Sequence, residues 1–434
     1  MKFKVSKSPL NGNIFVPGSK SHTIRAVLIA SLAAGKSILE KPLSSSDTEA
    51  AVNVYSAMGV KFDRSNPEAW VVEGIGSKLS SVKIPDGTVL DTLNSGTTMR
   101  VALGTCALLP KGVNITLTGD EQIQRRPVGP LVDALCTLGA DLSSEKGNGC
   151  PPISVKGGLA GGEVTIECKT SQYLTSLLLC CPLAENDTTI HIPLLNEKPY
   201  VQMTMDWLTR QGIKFEHNED MSEFFVPGRQ QFKPFTGPIP ADWSTAGFFL
   251  VAGCLGDNSI TLEGLDVTDA QGDKDVMEYL RRMGADIIEQ EDGTITVSAD
   301  KLVGVDIDMN ATPDALPIMA VAGCFAEGTT RLLNVPQARI KETDRIAVMC
   351  AELKKMGAKI EELEDGLVIH QSTLHAADVK GHHDHRVVMS LAIAGMALNG
   401  DGVTTVDTAE AAAVTVPEFA SIMQAMGGAL SSQD

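Results

Sequence analysis

Residues 282–287 read RMGADI, and five similar hexapeptides occur elsewhere along the chain. Each places a glycine where an amphipathic run ends and a strand-like run begins. This pattern is typical of a helix end, because glycine adopts the left-handed conformation there at no steric cost. The copies are AMGVKF (57–62), TLGADL (137–142), RQGIKF (210–215), RMGADI (282–287), KMGAKI (355–360) and AMGGAL (425–430), with glycines 70 to 80 residues apart. The sequence therefore predicts six structural repeats.

A second series of patterns runs in phase with these helix ends. Short polar clusters open apolar runs, which begin near Lys20, Ser95, Ser171, Asp242, Asp314 and Asp384. Each repeat thus combines an apolar helix, strands rich in Val, Ile and Thr, and an amphipathic helix. One repeat alone cannot bury both helices. We therefore predict an α/β fold in which three repeats per domain pack their apolar helices inside and their sheets outside.

Charge and composition exclude several classes of protein. The 434 residues include 36 Lys and Arg against 54 Asp and Glu, a formal charge of −18, which argues against binding of nucleic acid. The apolar runs are too short for a bilayer span, and the first residues, MKFKVSKSPLNG, lack the features of a signal peptide. Nine scattered cysteines without C-x-x-C pairs indicate reduced thiols. We expect a soluble cytoplasmic protein without metal.

The polar helix starts predict an anion site. The stretch PGSKSHTIR (17–25) places Lys20, Ser21 and Arg25 where a helix begins. Helix N-termini carry free N–H groups and partial positive charge, so several converging starts attract anions even in an acidic protein. Basic residues within or beside these clusters are Lys20, Arg25, Arg100, Arg125, Arg126, Lys341, Arg345 and Arg386. The ligand should therefore be rich in carboxylate or phosphate.

Seven motifs in order carry a family resemblance. They are PGSKSHTIRA, LNSGTTMR, QRRPVG, TSQYLTSLL, EKPY, ARIKETDR and DHRVVMS. Together with the six βαβ-type repeats they resemble the enolpyruvyl transferase family over nearly the whole chain. The resemblance implies a two-domain inside-out α/β fold, in which residues 20–240 form one three-repeat domain and residues 1–19 plus 241–434 form the other. The chain would cross between the domains near residues 19 and 240.

The resemblance also implies an activity. We expect transfer of the enolpyruvyl group of phosphoenolpyruvate (PEP) to the 5-hydroxyl of shikimate 3-phosphate, with release of phosphate through a tetrahedral intermediate. The expected partners are these two small molecules, with no cofactor, nucleic acid or membrane, and the expected state is a monomer.

Site residues follow by resemblance, position by position. The catalytic residues would be Asp314 as the base near the acceptor hydroxyl, with Glu342 and Lys20 handling the proton at PEP. The residues implied for PEP are Lys20, Asn94, Gly96, Arg126, Gln172, Arg345 and Arg386. In that set Asn94 and Gln172 supply neutral donors, and Gly96 lets the backbone approach PEP. The residues implied for the acceptor are Lys20, Ser21, Arg25, Thr170, Ser171, Gln172, Tyr200, Asp314, Gln337 and Lys341.

Three positions depart from the family pattern. Val414 replaces a common lysine, Leu93 a common glycine, and Glu197 a common serine beside the acceptor phosphate. By resemblance, Thr170 and Ser171 bind this phosphate. Because a carboxylate there would repel phosphate, we predict that Glu197 turns away, toward Lys198 or another basic neighbour, and leaves Thr170 and Ser171 to hold the phosphate. On that view Glu197→Ser should change KM for shikimate 3-phosphate by less than ~10-fold, or about 1.4 kcal/mol.

Several alternatives stay open from sequence. Asp242 and Asp384 could be N-caps only, and Arg345 alone could be a solvated partner of Asp344 or Glu342. The HHDH stretch (382–385) has a metal-like composition. At the level of function, the alternatives are an enolpyruvyl transferase with a different hydroxylated acceptor, an RNA-end phosphate cyclase, and a non-catalytic anion-binding module. The related enzyme that acts on UDP-N-acetylglucosamine usually presents a loop cysteine, and residues 107–135 contain none.

Overall fold

The computed structural model describes residues 1–76, 79, 82 and 84–433. The chain forms two compact units. We call Gly18–Ile239 the central unit, and Met1–Pro17 together with Pro240–Asp434 the terminal unit. That these units are the two domains predicted from sequence is our proposal.

The described strands are β1 (Lys2–Ser6), β2 (Asn11–Phe15), β3 (Ala34–Glu40), β4 (Lys61–Asp63), β5 (Ala69–Ile75), β6 (Thr88–Asp91), β7 (Ile115–Thr118), β8 (Leu142–Ser144), β9 (Ile153–Val155), β10 (Gly162–Thr165), β11 (Thr188–His191), β12 (Glu216–His217), β13 (Glu223–Val226), β14 (Thr236–Pro238), β15 (Ser259–Glu263), β16 (Asp286–Glu289), β17 (Ile295–Ser298), β18 (Asp306–Asp308), β19 (Thr329–Leu333), β20 (Lys359–Leu363), β21 (Gly366–His370), β22 (Asp378–Val379), β23 (Val403–Val406) and β24 (Ala429–Gln433).

The described α-helices are α1 (Lys20–Leu32), α2 (Ser46–Ala57), α3 (Gly96–Ala107), α4 (Gly129–Thr137), α5 (Ser171–Cys180), α6 (Lys198–Gln211), α7 (Trp243–Gly253), α8 (Val276–Arg282), α9 (Leu316–Phe325), α10 (Arg345–Lys355), α11 (His385–Met396) and α12 (Phe419–Ala425). Short 3-10 turns occupy Ile123–Arg125, Cys181–Leu183, Gly272–Asp275, Pro313–Ala315, Pro336–Ile340 and Ala409–Val414.

The described strands form six four-stranded sheets of one design, three in each unit. In each sheet the first pair is parallel and the other two pairs are antiparallel. The sheets of the central unit are β14-β3-β5-β4, β6-β7-β9-β8 and β10-β11-β13-β12, and those of the terminal unit are β2-β15-β17-β16, β18-β19-β21-β20 and β22-β23-β1-β24. The predicted six-repeat α/β fold is confirmed.

The apolar helices lie inside, as predicted. Every residue of α3 and α11 is buried, and α1, α5, α7 and α9 each leave one residue less than fully buried. Each unit has its own hydrophobic core. Because side chains on all faces of these helices are apolar, they can be buried all round, and only their polar first turns carry groups suited to binding anions.

Helix ends follow the sequence signals closely. The six predicted glycines all adopt positive φ angles, from 71° at Gly212 to 101° at Gly139. Side chains cap α1, α3, α5, α7 and α11 at Ser19, Ser95, Thr170, Asp242 and Asp384. Asp314 differs, because it lies in the 3-10 turn before α9. Its carboxylate is thus available for contacts with other residues.

All nine cysteines are free thiols. Burial raises the pKa of Cys168, Cys254 and Cys324 to about 12 each, so these thiols stay protonated at neutral pH. None of the helices in the described part of the chain has the length and apolar character that crossing a membrane requires.

Candidate active site

Four cations of the central unit are buried, and we call them the basic cluster: Lys20 and Arg25 on α1, Arg100 on α3, and Arg126 just after the turn Ile123–Arg125. Nζ of Lys20 lies 3.1 Å from Oδ2 of Asp47 at the start of α2. Asp47 was not predicted from sequence. The only local signal was its place at a helix start, where an acidic residue usually serves the helix dipole.

Arg25 is 2% exposed and binds only neutral groups. Its guanidinium donates to Oγ1 of Thr204 (3.0 Å) and Thr175 (3.3 Å), and to the backbone oxygens of Ser21 (2.9 Å) and Tyr200 (3.0 Å). Burial lowers the pKa of Arg25 to about 10, still high enough to keep it charged at neutral pH. A buried cation whose partners are neutral favours an anionic ligand.

Gly96 leaves room for two guanidinium groups. A Cβ atom at this position would lie 2.5 Å from Nη1 of Arg126 and 2.8 Å from Nη1 of Arg100. Arg100 also donates to the backbone oxygen of Gly96 and to Oε1 of Gln172, both at 3.0 Å. The absence of a side chain at Gly96 therefore lets both guanidinium groups lie close to the backbone.

Two predicted neutral donors are already engaged. Nδ2 of Asn94 donates to Asp120 (2.6 Å) and Gln122 (2.7 Å), while the buried Oδ1 of Asn94 has no hydrogen-bond partner among the described residues. Both N–H groups of Asn94 are thus used within the protein, and the role of Asn94 as a donor to PEP stays a prediction. Gln172 uses one amide N–H on Thr97 (3.1 Å), which leaves the other.

The prediction that Glu197 turns away from Thr170 and Ser171 is wrong. Glu197 is 1% exposed, and its Oε2 accepts hydrogen bonds from Oγ of Ser171 (2.7 Å), N of Ser171 (3.0 Å) and Oγ1 of Thr170 (3.2 Å). The expected partner, Lys198, instead donates to the backbone oxygen of Asp220 at 2.9 Å. The carboxylate therefore occupies the donors predicted for the acceptor phosphate.

The backbone and the donors together explain this placement. Glu197 adopts a left-handed conformation (φ 59°) immediately before α6. The start of α5 offers two hydroxyl groups and a backbone N–H with partial positive charge, an arrangement suited to a carboxylate. An exposed lysine offers much less, because water screens its charge.

A second cluster lies in the terminal unit and is centred on Arg345, which is 1% exposed. Nε and Nη2 of Arg345 bind Asp384 (2.8 and 3.2 Å), Nη1 binds Asp314 (2.8 Å), and Nη2 also binds Glu342 (2.6 Å). Asp344 instead pairs with Arg339 at 2.6 Å. The interpretation of Arg345 as a solvated surface partner is therefore wrong.

The charges of Arg345 and Asp384 shift the pKa values of both groups. Burial alone would lower the pKa of Arg345, but the charges of Asp384 and the two other carboxylates raise it above its usual value. Burial alone would raise the pKa of Asp384, but the charge of Arg345 lowers it below its usual value. Asp384 also caps α11 through N of Arg386 (2.9 Å), so it is more than an N-cap.

Asp314 is surrounded by three cations. Its Oδ1 lies 2.8 Å from Nη1 of Arg345 and 3.6 Å from Nζ of Lys341, and its Oδ2 lies 3.1 Å from Nη2 of Arg386. With Glu342 and Asp384 added, this carboxylate cluster holds three acids and three bases. The formal charges of the cluster therefore sum to zero.

The structure also describes two further acceptor residues, Gln337 and Tyr200, and two of the positions that depart from the family pattern, Leu93 and Val414. Nε2 of Gln337 donates to the backbone oxygen of Asn310 (2.9 Å), and its buried Oε1 has no partner among the described residues. Tyr200 lies in the first turn of α6, where its carbonyl binds Arg25. Leu93 adopts a left-handed conformation (φ 50°), which a glycine would adopt freely. Val414 ends the turn Ala409–Val414.

The HHDH stretch has protein partners. Nε2 of His382 lies 2.8 Å from Oε1 of Glu352, and His385 is buried with Nδ1 4.0 Å from Oδ1 of Asp384. Within the described residues, no group of three or more His, Cys, Asp or Glu side chains has the arrangement to hold a metal ion.

Comparison with known proteins agrees with this picture. A family model described as EPSP synthase (3-phosphoshikimate 1-carboxyvinyltransferase) matches residues 5–423. The chain is 50% identical over 428 residues to the 3-phosphoshikimate 1-carboxyvinyltransferase of Ruminiclostridium cellulolyticum, covering 99% of each chain. It is 50% identical over 432 residues to the enzyme of the same name from Acetivibrio thermocellus, covering 100% of each.

A solved structure is also similar. The EPSP synthase from Acinetobacter baumannii matches with a TM-score of 0.81 and 25% identity, covering 100% of each chain. Because the family model spans almost the whole sequence and relatives of half identity match it along their full length, the chain belongs to the EPSP synthase family.

Proposed function

We propose that the chain transfers the enolpyruvyl group of PEP to the 5-hydroxyl of shikimate 3-phosphate and releases phosphate, a step of the shikimate pathway to aromatic amino acids. The observation that carries this proposal is the carboxylate cluster, where Arg345 joins Asp314 to Glu342. Two carboxylates held beside fixed cations suit proton transfer on anionic substrates. A simple anion-binding module would have no use for them.

The chemistry needs an acid and a base twice. In the addition step, Asp314 takes the proton of the 5-hydroxyl, whose oxygen bonds to C2 of PEP, while Glu342 or Lys20 protonates the methylene carbon. In the elimination step, the resulting methyl group returns a proton to the protein and phosphate leaves C2. The products are the enolpyruvyl ether and inorganic phosphate, so atoms and charges balance.

Anion binding falls to the remaining cations. Arg126 and Arg386 would bind the carboxylate and phosphate of PEP, and Arg25 with Ser21 would bind the acceptor carboxylate. Arg345 has a different place in this scheme from the predicted PEP clamp. Four of its N–H bonds already donate to carboxylates, which leaves one of five, so we propose that it mainly orients Asp314 and Glu342.

A coupled assay of phosphate release tests the proposed function. With PEP and shikimate 3-phosphate together we expect steady release of phosphate, and with either substrate alone we expect none. The carboxyvinyl ether should form in an amount equal to the released phosphate when the products are separated and quantified by mass spectrometry. Release that requires PEP but not the acceptor would contradict the proposal.

Glu197 favours a second candidate, an enolpyruvyl transferase whose acceptor lacks phosphate. The carboxylate lies on the donors Thr170 and Ser171, and a hydroxyl or amine could bind it directly. Activity of the unmutated protein with shikimate 3-phosphate decides between the two candidates, because the second predicts almost none.

The packing at Gly96 gives a prediction about PEP. In Gly96→Ala the new methyl group must displace Arg126 and Arg100, whose flexible ends can move without unfolding the helix. We expect KM for PEP to rise ~10-fold or more, since a shift of about 1 Å in a binding group can cost that much. Gly237→Ala is the matched control, because no atom lies within 4 Å of its added Cβ. Equal KM values for PEP in both variants would contradict the prediction.

We also propose that the protein acts as a monomer in the cytoplasm. The free, largely buried thiols support a reducing compartment. Light scattering coupled to size exclusion would test the monomer, whose mass should be close to 46.0 kDa.

A further inference from the structure

A buried carboxylate outside the candidate active site holds the loop that precedes α11. Glu352 lies on α10 with its side chain 3% exposed. Its Oε2 accepts hydrogen bonds from Nζ of Lys355 (2.6 Å) and from the backbone N of Lys380 (2.9 Å). Its Oε1 lies 2.8 Å from Nε2 of His382. Two of these three contacts therefore anchor the loop to the helix.

The loop needs anchors because its backbone is strained. His382 and His383 are consecutive non-glycine residues with φ angles of 53° and 54°. Each such conformation is unfavourable for a residue with a side chain and persists only where the surroundings enforce it. Two further contacts help, from N of Gly381 to Asp407 (2.8 Å) and from N of His383 to Thr408 (3.0 Å).

The loop ends at the carboxylate cluster. Asp384 follows the two strained histidines directly, and its side chain is fully buried. Both of its oxygens bind Arg345, which in turn binds Asp314 and Glu342. Helix α11 also begins here and carries Arg386. A shift of the loop would therefore move Arg386 directly, and it would move Asp384, the partner of Arg345.

Lys355 separates two roles of Glu352. It lies one turn along the same helix and neutralises the carboxylate, but it makes neither of the two contacts that tie Glu352 to the loop. Burial would raise the pKa of Glu352, but the hydrogen bonds from Lys355 and His382 hold it below its usual value. Charge compensation and loop anchoring can thus be removed one at a time.

We propose that Glu352 is a positioning residue for the enolpyruvyl transfer, acting through the strained loop Lys380–Asp384 on Arg345 and Arg386. This inference rests on the proposed function. It predicts an effect mainly on PEP, because Arg386 is assigned to PEP and Arg345 binds Glu342, which is assigned to the proton at PEP.

The test compares Glu352→Ala, Glu352→Gln and Lys355→Met by steady-state kinetics and by hydrogen–deuterium exchange of the segment 378–386. We expect Glu352→Ala to lower kcat/KM for PEP by ~10- to 100-fold, as small displacements of binding groups do. The KM for shikimate 3-phosphate should stay within ~3-fold, since Arg25 and its neighbours lie outside the loop. Exchange at Lys380 and Gly381 should become faster.

The other two variants serve as controls. Glu352→Gln keeps the shape and can still accept from N of Lys380, so it should recover part of the loss. Lys355→Met should match the parent within ~3-fold in kcat/KM, because the anchors of the loop remain. If Glu352→Ala does not fold, Glu352→Gln against Lys355→Met carries the comparison.

Several results would overturn the proposal. One is faster exchange in 378–386 with parental kinetics. Another is an equal loss for both substrates in step with a lower melting temperature, which would indicate a merely structural role. If the unmutated protein released no phosphate, the proposed function would fail, and the exchange measurement alone would still decide whether Glu352 anchors the loop.

Discussion

Glu197→Ser is expected to lower KM for shikimate 3-phosphate by ~10-fold or more, with little change in kcat. The carboxylate of Glu197 accepts three hydrogen bonds from Thr170 and Ser171, the groups proposed to bind the acceptor phosphate. Phosphate cannot share them, because two like charges about 4 Å apart repel by ~4 kcal/mol at an effective dielectric constant of 20. The substrate must therefore displace the carboxylate of Glu197, and the three hydrogen bonds of that carboxylate are lost. The serine variant does not carry this cost when the substrate binds.

Steady-state kinetics and calorimetric binding of shikimate 3-phosphate would measure this effect in the parent and the variant. Glu197→Gln should lie between them, since it keeps the bulk but removes the charge. The matched control is Glu185→Ser, which removes an exposed carboxylate of the same unit that forms an ion pair with Arg229 (3.8 Å). An unchanged or raised KM in Glu197→Ser would show that the carboxylate does not compete with phosphate. An inactive parent with an active variant would point to the acceptor without phosphate.

Asp314→Asn is expected to lower kcat by ~10² or more while KM for PEP stays similar or falls. The first effect follows from the loss of the proposed base. The second follows from the charges of the cluster, which would then hold three cations and two carboxylates, so that the added positive charge attracts PEP. Asparagine keeps one oxygen to accept from Arg345, so the fold should be retained.

The separation between kcat and KM distinguishes this result from general damage. Asp306→Asn is a suitable control, because Asp306 forms an exposed ion pair with Arg331 in the same unit (3.2 Å). That variant should match the parent, as exposed ion pairs contribute little. A near-normal kcat in Asp314→Asn would exclude Asp314 as the base.

The clearest sequence signals were short-range ones. The helix-ending glycines and the polar residues that open the apolar helices recur with a period near 72 residues, and they are read from neighbours along the chain. The repeats that they predict correspond to the six sheets of one design and the six buried helices of the described structure. Local backbone preferences and burial of apolar faces are enough to specify such repeats, whatever the ligand.

The sequence also predicted most of the charged residues of the candidate site, because the recognised motifs contain them. It could not assign their partners. Arg345 binds Asp384, 39 positions away, and Lys20 binds Asp47 from a different helix. Contacts between residues so far apart in the sequence depend on how helices pack, so neither Asp47 nor the second role of Asp384 was predicted.

Glu197 shows what the tertiary structure alone decided. From the sequence we predicted that Glu197 pairs with its neighbour Lys198, because electrostatic repulsion should keep a carboxylate away from a phosphate site. The fold brings the start of α5 next to a left-handed residue, so three donors lie within 3.2 Å of the carboxylate. Buried donors at a helix start outweigh an exposed lysine, because burial removes the water that screens charge. The direction of that one side chain follows from packing, which the order of residues along the chain does not reveal.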